Sequence, residues 1–169
     1  MTEPFPLAPS LWAHTATPAP VTHALSDSTE TDVCIVGGGY AGLSTALHLS
    51  ESGVPCVVLE ARECGWGASG RNGGQVIPGL KYDPDEMIAT YGEKEGRKLL
   101  AFAGSTADRV FELIDRYQMQ VPFERQGWIQ AAHSDDGLAL ARQRVTQWTK
   151  HGVEAKLLDR EETASRLGT

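Results

Sequence analysis

Gly37, Gly39 and Gly42 stand at Gly-x-Gly-x-x-Gly spacing, and an acid, Glu60, follows roughly 20 residues later. Residue types in this pattern recognise phosphate and ribose. Gly37 permits a tight turn. Gly39 lacks a side chain, so a pyrophosphate can approach the backbone there. Gly42 lets a helix lie close on a sheet. The helix start, at Tyr40 and Ala41, offers N–H groups and a positive dipole end to an anion. Glu60, with Ala61 after it, can accept hydrogen bonds from ribose hydroxyls.

A second glycine-rich stretch, Gly65-Trp66-Gly67-Ala68-Ser69-Gly70-Arg71-Asn72-Gly73-Gly74-Gln75, comes next. A simple nicotinamide unit would turn straight into another helix. A long loop of bare backbone suits a larger dinucleotide. Ser69 offers a hydroxyl and an N–H to phosphate, Arg71 offsets phosphate charge, and Asn72 supplies an amide. Gly73 and Gly74 extend the bare surface. The alternative is a mobile surface loop, where Gly and Ser also gather.

These residues require elements that position them. The apolar run Val33 to Val36 predicts a parallel strand buried on both faces. A helix follows, with Leu43, Ala46 and Leu47 on one stripe, and stops at Gly53. Cys56 to Leu59 predicts a second buried strand ending at Glu60. Strand, turn, helix, strand and acid are thus in the order a dinucleotide fold demands. The fold class is α/β, a Rossmann-like βαβ unit followed by helices and the start of a second domain.

Residues 1–30 carry Pro4, Pro6, Pro9, Pro18 and Pro20 and read as an extended arm. Trp12 either packs the arm against the body or lies in a disordered tail. Residues 31–82 form the nucleotide unit and glycine loop. Residues 83–169 form a helical region and the incomplete start of a substrate domain. Asp83 or Asp85 starts a helix, and Glu93 to Gln118 contains a long one. Its stripe of Leu99, Phe102, Ala103, Thr106, Val110, Leu113, Ile114 and Tyr117 predicts a core face. Phe123 to His133 and Val153 to Leu158 predict strands. Asp135 to His151 predicts a helix with Leu138, Ala141, Val145 and Trp148 inward. A short helix spans Arg160 to Leu167.

Composition narrows the function classes. The net charge of −7 opposes a nucleic-acid footprint, which needs clustered Lys and Arg. No apolar run approaches the ~20 residues of a membrane span. No basic-then-apolar leader pattern is visible. Cys34, Cys56 and Cys64 are sparse, lack metal-ligand spacing and read as reduced thiols of a cytoplasmic protein, two of them in the core. The five histidines are scattered.

Asp32-Val33-Cys34-Ile35-Val36-Gly37-Gly38-Gly39-Tyr40-Ala41-Gly42-Leu43-Ser44, then Val58-Leu59-Glu60-Ala61, then Gly65 to Gln75, resembles the N-terminal part of FAD-dependent amine and amino-acid oxidoreductases. These are the D-amino-acid oxidase, glycine oxidase and sarcosine oxidase relatives. The gamma-glutamylputrescine oxidoreductase-like branch shares the loop and an upstream Leu-Trp-x-x-Thr, here Leu11 to Thr15. The resemblance implies that Gly37, Gly39, Tyr40, Ala41, Gly42, Glu60 and Ala61 hold the ADP half of FAD. It implies that Ser69, Arg71, Asn72, Gly73 and Gly74 run past the pyrophosphate towards the flavin. Some relatives attach FAD through a His or Cys in or near this loop. Here the loop has no His and Cys64 precedes Ser69, so non-covalent FAD is implied. The implied reaction is oxidation of a small amine or amino acid, with no catalytic dyad readable in this segment. No residue pattern names the amine, the electron acceptor or an oligomeric state. Family members are considerably longer than 169 residues, so the chain reads as an N-terminal fragment, expected to hold FAD weakly or not at all and to turn over no amine alone. The alternatives are an NAD(P)-binding protein with the same fingerprint and a non-catalytic fragment.

Overall fold

A computed structural model describes residues 7–168; Pro4 and Pro6 of the arm lie outside them. The elements, in chain order, are α1 (Leu11–Thr15), β1 (Val33–Val36), α2 (Tyr40–Glu51), β2 (Cys56–Leu59), α3 (Pro84–Arg116), α4 (Asp135–Lys150) and α5 (Arg160–Leu167). They divide into two compact units, residues 1–75 and 76–169.

In the first unit β1 and β2 pair in parallel, with Val33 opposite Cys56 and Val36 opposite Leu59. The ladder continues past both strand ends. The Val33 N–H donates to Pro55 O at 3.2 Å, and the Gly37 N–H to Leu59 O at 2.8 Å. α2 is the crossover and packs on both strands. It ends where Ser52 and Gly53, the latter at φ +71°, turn the chain back, and Val54 N–H closes on Leu49 O.

The strands and crossover helix fall at the expected residues, but the expected burial of β1 on both faces is corrected. Ile35 is buried and faces α2, with its Cγ2 only 3.3 Å from where a Gly42 Cβ would sit. Cys34 is exposed, and Val36 is 86% exposed. Successive strand residues point to opposite faces. α2 covers one face, and among the described residues nothing comparable covers the other. Cys34 is therefore not a core thiol here, while Cys56 is half-buried.

Residues 17–32 carry no helix or strand. The arm does have one ordered turn, α1, capped by Ser10, whose Oγ accepts from Ala13 N–H. Trp12 docks on the glycine-rich loop of the same unit, which decides between the two readings of the arm.

The second unit is built on α3 and α4. α3 starts at Asp83, with Pro84 in its first turn, where a missing N–H costs nothing. Its two expected segments join across Gly92, whose φ of +78° bends the axis. Asp83 does not cap the helix with its own carboxylate. Arg144 of α4 takes both carboxylate oxygens, at 3.1 and 3.0 Å. The cap comes instead from Gln147 of α4, whose Oε1 accepts the Asp85 N–H at 3.1 Å. That is why a glutamine is buried on the face where Val145 and Trp148 are only half-buried and Leu138 is exposed.

The expected α3 stripe is likewise corrected. Met87, Leu100, Ala103 and Phe111 are buried, and of the eight stripe residues only Ala103 is among them. Phe102 is 65% exposed, and Val110 and Tyr117 are exposed too. α3 is apolar over a wide arc, and the partners present select one edge of it. The strands expected at 123–133 and 153–158 do not form. β-rich composition yields a strand only when a ladder partner exists. Residues near 123 pack on α3 instead. The Phe123 ring lies 5.3 Å from that of Phe111, and Arg125 reaches Asp108 at 2.5 Å. α5 forms as expected and carries a full capping box between Asp159 and Glu162.

The corrected core makes a direct prediction. Met87→Ala should destabilise the second unit by about 2–5 kcal/mol, because Met87 is fully buried. Phe102→Ala should cost less than about 0.5 kcal/mol. Urea denaturation of the two variants checks the order, and equal losses would contradict this core.

Candidate cofactor-binding site

The site is assembled at the carboxyl end of β1 and β2, where open parallel sheets bind ligands. Gly37 turns the chain at φ +103°, a conformation that disfavours every side chain. Gly39 caps α2 with no side-chain bond of its own. The helix sits as close to the turn as backbone allows: a Cβ on Gly42 would lie 2.0 Å from Gly37 O. This is the helix–strand packing role expected of the third glycine.

Glu60 ends β2 and reaches back to the turn. Its Oε2 accepts the Gly38 N–H at 2.6 Å, and its Oε1 accepts the Arg62 N–H at 3.0 Å. These donors, Gly38 first, hold its carboxyl below the usual range. The side chain is thus an ionised, oriented acceptor at neutral pH, with lone pairs remaining for further donors. Ala61 beside it is exposed.

The glycine loop folds back over the start of α2. The Ser69 Oγ accepts the Tyr40 N–H at 3.0 Å, and a Cβ on Gly39 would lie 2.9 Å from that oxygen. Ser69 Oγ therefore stands where an anion's oxygen would meet the helix N-terminus. The N–H groups of Ala41 and Gly42 have no acceptor among the described residues, as first-turn donors commonly do not. Asn72 ties the loop together. Its Nδ2 donates to Ser69 O at 2.6 Å and Tyr40 Oη at 3.0 Å, and its Oδ1 accepts the Gly74 N–H at 2.7 Å. Arg71 donates from Nε to Trp66 O at 3.0 Å. Its guanidinium lies 4.5 Å from the Trp66 ring centroid, and that of Arg62 lies 3.4 Å from it. Both guanidiniums therefore stack on one indole.

Of the residues singled out from sequence, Glu60 meets the glycine turn, and Tyr40, Ser69, Asn72 and Gly74 are joined by hydrogen bonds; Arg71 is held by Trp66 instead, and Ala41, Ala61 and Gly73 are exposed and make no side-chain bond. Three participants were not singled out. Gly38 supplies the N–H that Glu60 takes. Arg62 and Trp66 complete the cation–π pair. The signal for Gly38 was its place inside the three-glycine run. Arg62 and Trp66 had none, because their pairing depends on how the loop folds. No cluster of metal ligands occurs among the described residues, and no described helix is long and apolar enough to cross a membrane.

The residues fit a dinucleotide on structural grounds. Gly39 brings a helix start to the sheet end with no side chain of its own, Gly37 opens on free space, and an oriented carboxylate stands one strand away. Comparison with known proteins decides which dinucleotide. The family described as FAD dependent oxidoreductase (DAO) matches residues 32–168. The chain belongs to this family. It is 41% identical to gamma-glutamylputrescine oxidoreductase of Escherichia coli (strain K12) over 136 residues, which is 80% of this chain and 32% of that protein. It is 43% identical to the probable oxidoreductase OrdL of Haemophilus influenzae over 94 residues, 56% of this chain and 22% of that protein. It is 32% identical to the probable oxidoreductase OrdL of Rhizobium meliloti over 173 residues, all of this chain and 40% of that protein. The chain therefore spans between about a fifth and two fifths of these relatives. No solved structure gives a significant match. As a member of the FAD-dependent oxidoreductase family, the chain has FAD as its implied cofactor.

Two predictions follow from the geometry. Gly42→Ala should destabilise the first unit by at least about 1–3 kcal/mol, since backbone and not a flexible side chain blocks the added methyl. Thermal unfolding of the variant reads this directly. The second concerns pH. The Glu60 carboxyl is depressed in the folded chain, so its stabilising contribution is complete above the ordinary carboxylate range and is lost as pH falls through the lower folded value. Glu60→Gln should flatten that acid limb of the stability curve. An unchanged limb would show that the Gly38 and Arg62 bonds contribute nothing.

Proposed function

We propose that residues 31–82 bind FAD non-covalently and that, in a protein of its relatives' length, this unit serves to oxidise the C–N bond of a small amine or amino acid. The observation that carries the cofactor part is the junction of Gly38, Glu60, Tyr40 and Ser69 at one sheet end, in a chain of an FAD-dependent family. In this reading Gly37, Gly39, Tyr40, Ala41 and Gly42 hold the pyrophosphate, and Glu60 with Ala61 holds the adenosine ribose. Ser69, Arg71, Asn72, Gly73 and Gly74 carry the backbone on towards the flavin. Support for a non-covalent link is the lack of His in the loop and the position of Cys64. Its Sγ lies 2.8 Å from where a Gly38 Cβ would sit, against the glycine turn.

The chemistry FAD supplies when bound is acceptance of a hydride from the carbon beside a nitrogen, leaving an imine that water hydrolyses. This chain's part is to bind and orient. The α2 N-terminus and the Arg62 and Arg71 guanidiniums offset phosphate charge. Ionised Glu60 accepts from ribose hydroxyls and repels a 2′-phosphate. Amine specificity is supported by the likeness to gamma-glutamylputrescine oxidoreductase. In this reading residues 83–169 form a helical region and the start of a substrate domain. Sparse, free cysteines favour a reducing, cytoplasmic setting.

Equilibrium titration with FAD, NAD and NADP should give FAD the lowest dissociation constant and NADP the highest. Gly39→Val should abolish FAD binding, with its circular dichroism little changed. Tighter binding of either nicotinamide would overturn the cofactor assignment. Anaerobic mixing of the FAD-loaded protein of that length with a panel of small amines should bleach the flavin with at least one. Bleaching by an alcohol or sugar and by no amine would move the substrate to another class.

A further inference from the structure

α1 has five residues, far fewer than an isolated helix needs to persist in water. It must be held from outside, and Trp12 holds it. The indole Nε1–H donates to Asn72 O at 2.8 Å across 60 residues of sequence. The six-membered edge of the ring lies on Gly74, where a Cβ would meet Trp12 Cζ2 at 2.7 Å and Cη2 at 2.8 Å. Gly74 also has φ +69°, so conformation and space both call for glycine. Asn72 and Gly74 are the residues whose bonds run back through Ser69 and Tyr40 to the start of α2. The indole therefore closes one end of a hydrogen-bonded chain whose other end is the helix N-terminus. Beneath it lies a cavity of about 150 Å³, lined among others by Leu7, Ser10, Ala13, Trp66 and Arg71. The arm is thus one wall of the loop.

We propose that Trp12 is a positioning residue for the cofactor-side loop: the N-terminal arm sets the shape of Asn72 to Gly74 and through it the seat of FAD. The inference rests on the FAD reading above but adds a residue outside the fingerprint. Its physical content is simple. A glycine-rich loop has the most backbone freedom to lose on ordering. A docked indole removes that freedom before the ligand arrives, which raises affinity by preorganisation.

The test compares wild type, Trp12→Ala and Trp12→Phe, with hydrogen exchange read on this chain and FAD titration on a protein of its relatives' length. Hydrogen exchange of the cofactor-free protein should show the Gly74 amide exchanging about tenfold faster in Trp12→Ala, with the β1–β2 ladder still protected. Trp12→Phe keeps an aromatic ring on Gly74 and loses only the N–H, so its Gly74 exchange should lie between the two. FAD titration should give about tenfold weaker binding for Trp12→Ala, a shifted visible spectrum of the bound flavin, and recovery of most of both by Trp12→Phe. Unchanged Gly74 exchange in Trp12→Ala overturns the proposal. So does faster exchange with wild-type FAD affinity and spectrum. If Trp12→Ala loses the ladder as well, Trp12→Phe decides: wild-type Gly74 exchange there overturns the proposal. A wild type that binds no FAD sinks the cofactor reading, while the exchange rates still decide whether Trp12 sets the loop.

Discussion

The first unit depends on how closely α2 approaches the end of β1. With Gly37 O only 2.0 Å from a virtual Gly42 Cβ, helix and turn are in backbone contact. That contact fixes where the helix starts. The Tyr40 N–H then falls within reach of Ser69 Oγ, and the Gly38 N–H falls within reach of Glu60. A side chain at position 42 would push the helix outward and loosen both bonds. The parallel pairing of β1 and β2 supplies the other half of the constraint, because it brings Glu60 level with the turn.

The glycine loop is ordered by polar bonds and not by burial. Its side chains are largely exposed, yet the Asn72 side chain makes three bonds within the unit and Arg71 is bonded and stacked. Such bonds are individually worth little in water, about 0.5–1.5 kcal/mol each, and act together by limiting a flexible backbone.

The second unit follows a different logic. α3 is long and kinked, and α4 holds it by polar side chains as much as by apolar contact. Arg144 pairs with the half-buried Asp83 and also donates to Gln130, while Gln147 caps the helix start. A buried polar group must find partners, so these bonds fix the pairing of the two helices more narrowly than apolar contact would. Apolar surface remains uncovered around them, including Phe102, Phe123 and Trp128.

The sequence by itself determined the βαβ unit, its glycine turn, the acid at the end of β2, the loop's candidate residues and the positions of α4 and α5. Those features are local. A steric demand at Gly37 and Gly42, a helical period, or a capping box at Asp159 is met within one segment and is legible in it. Tertiary structure decided what depends on a partner. It left Cys34 and Val36 exposed, because a strand's second face is buried only if something lies on it. It replaced Leu99 and Phe102 by Leu100 and Phe111 in the core, because the neighbours present choose which edge of a wide apolar arc is covered. It left 123–133 and 153–158 without strand pairing, since composition cannot supply a ladder. It also joined Trp12 to Asn72 and Arg62 to Trp66, contacts that exist only once the chain has folded back on itself.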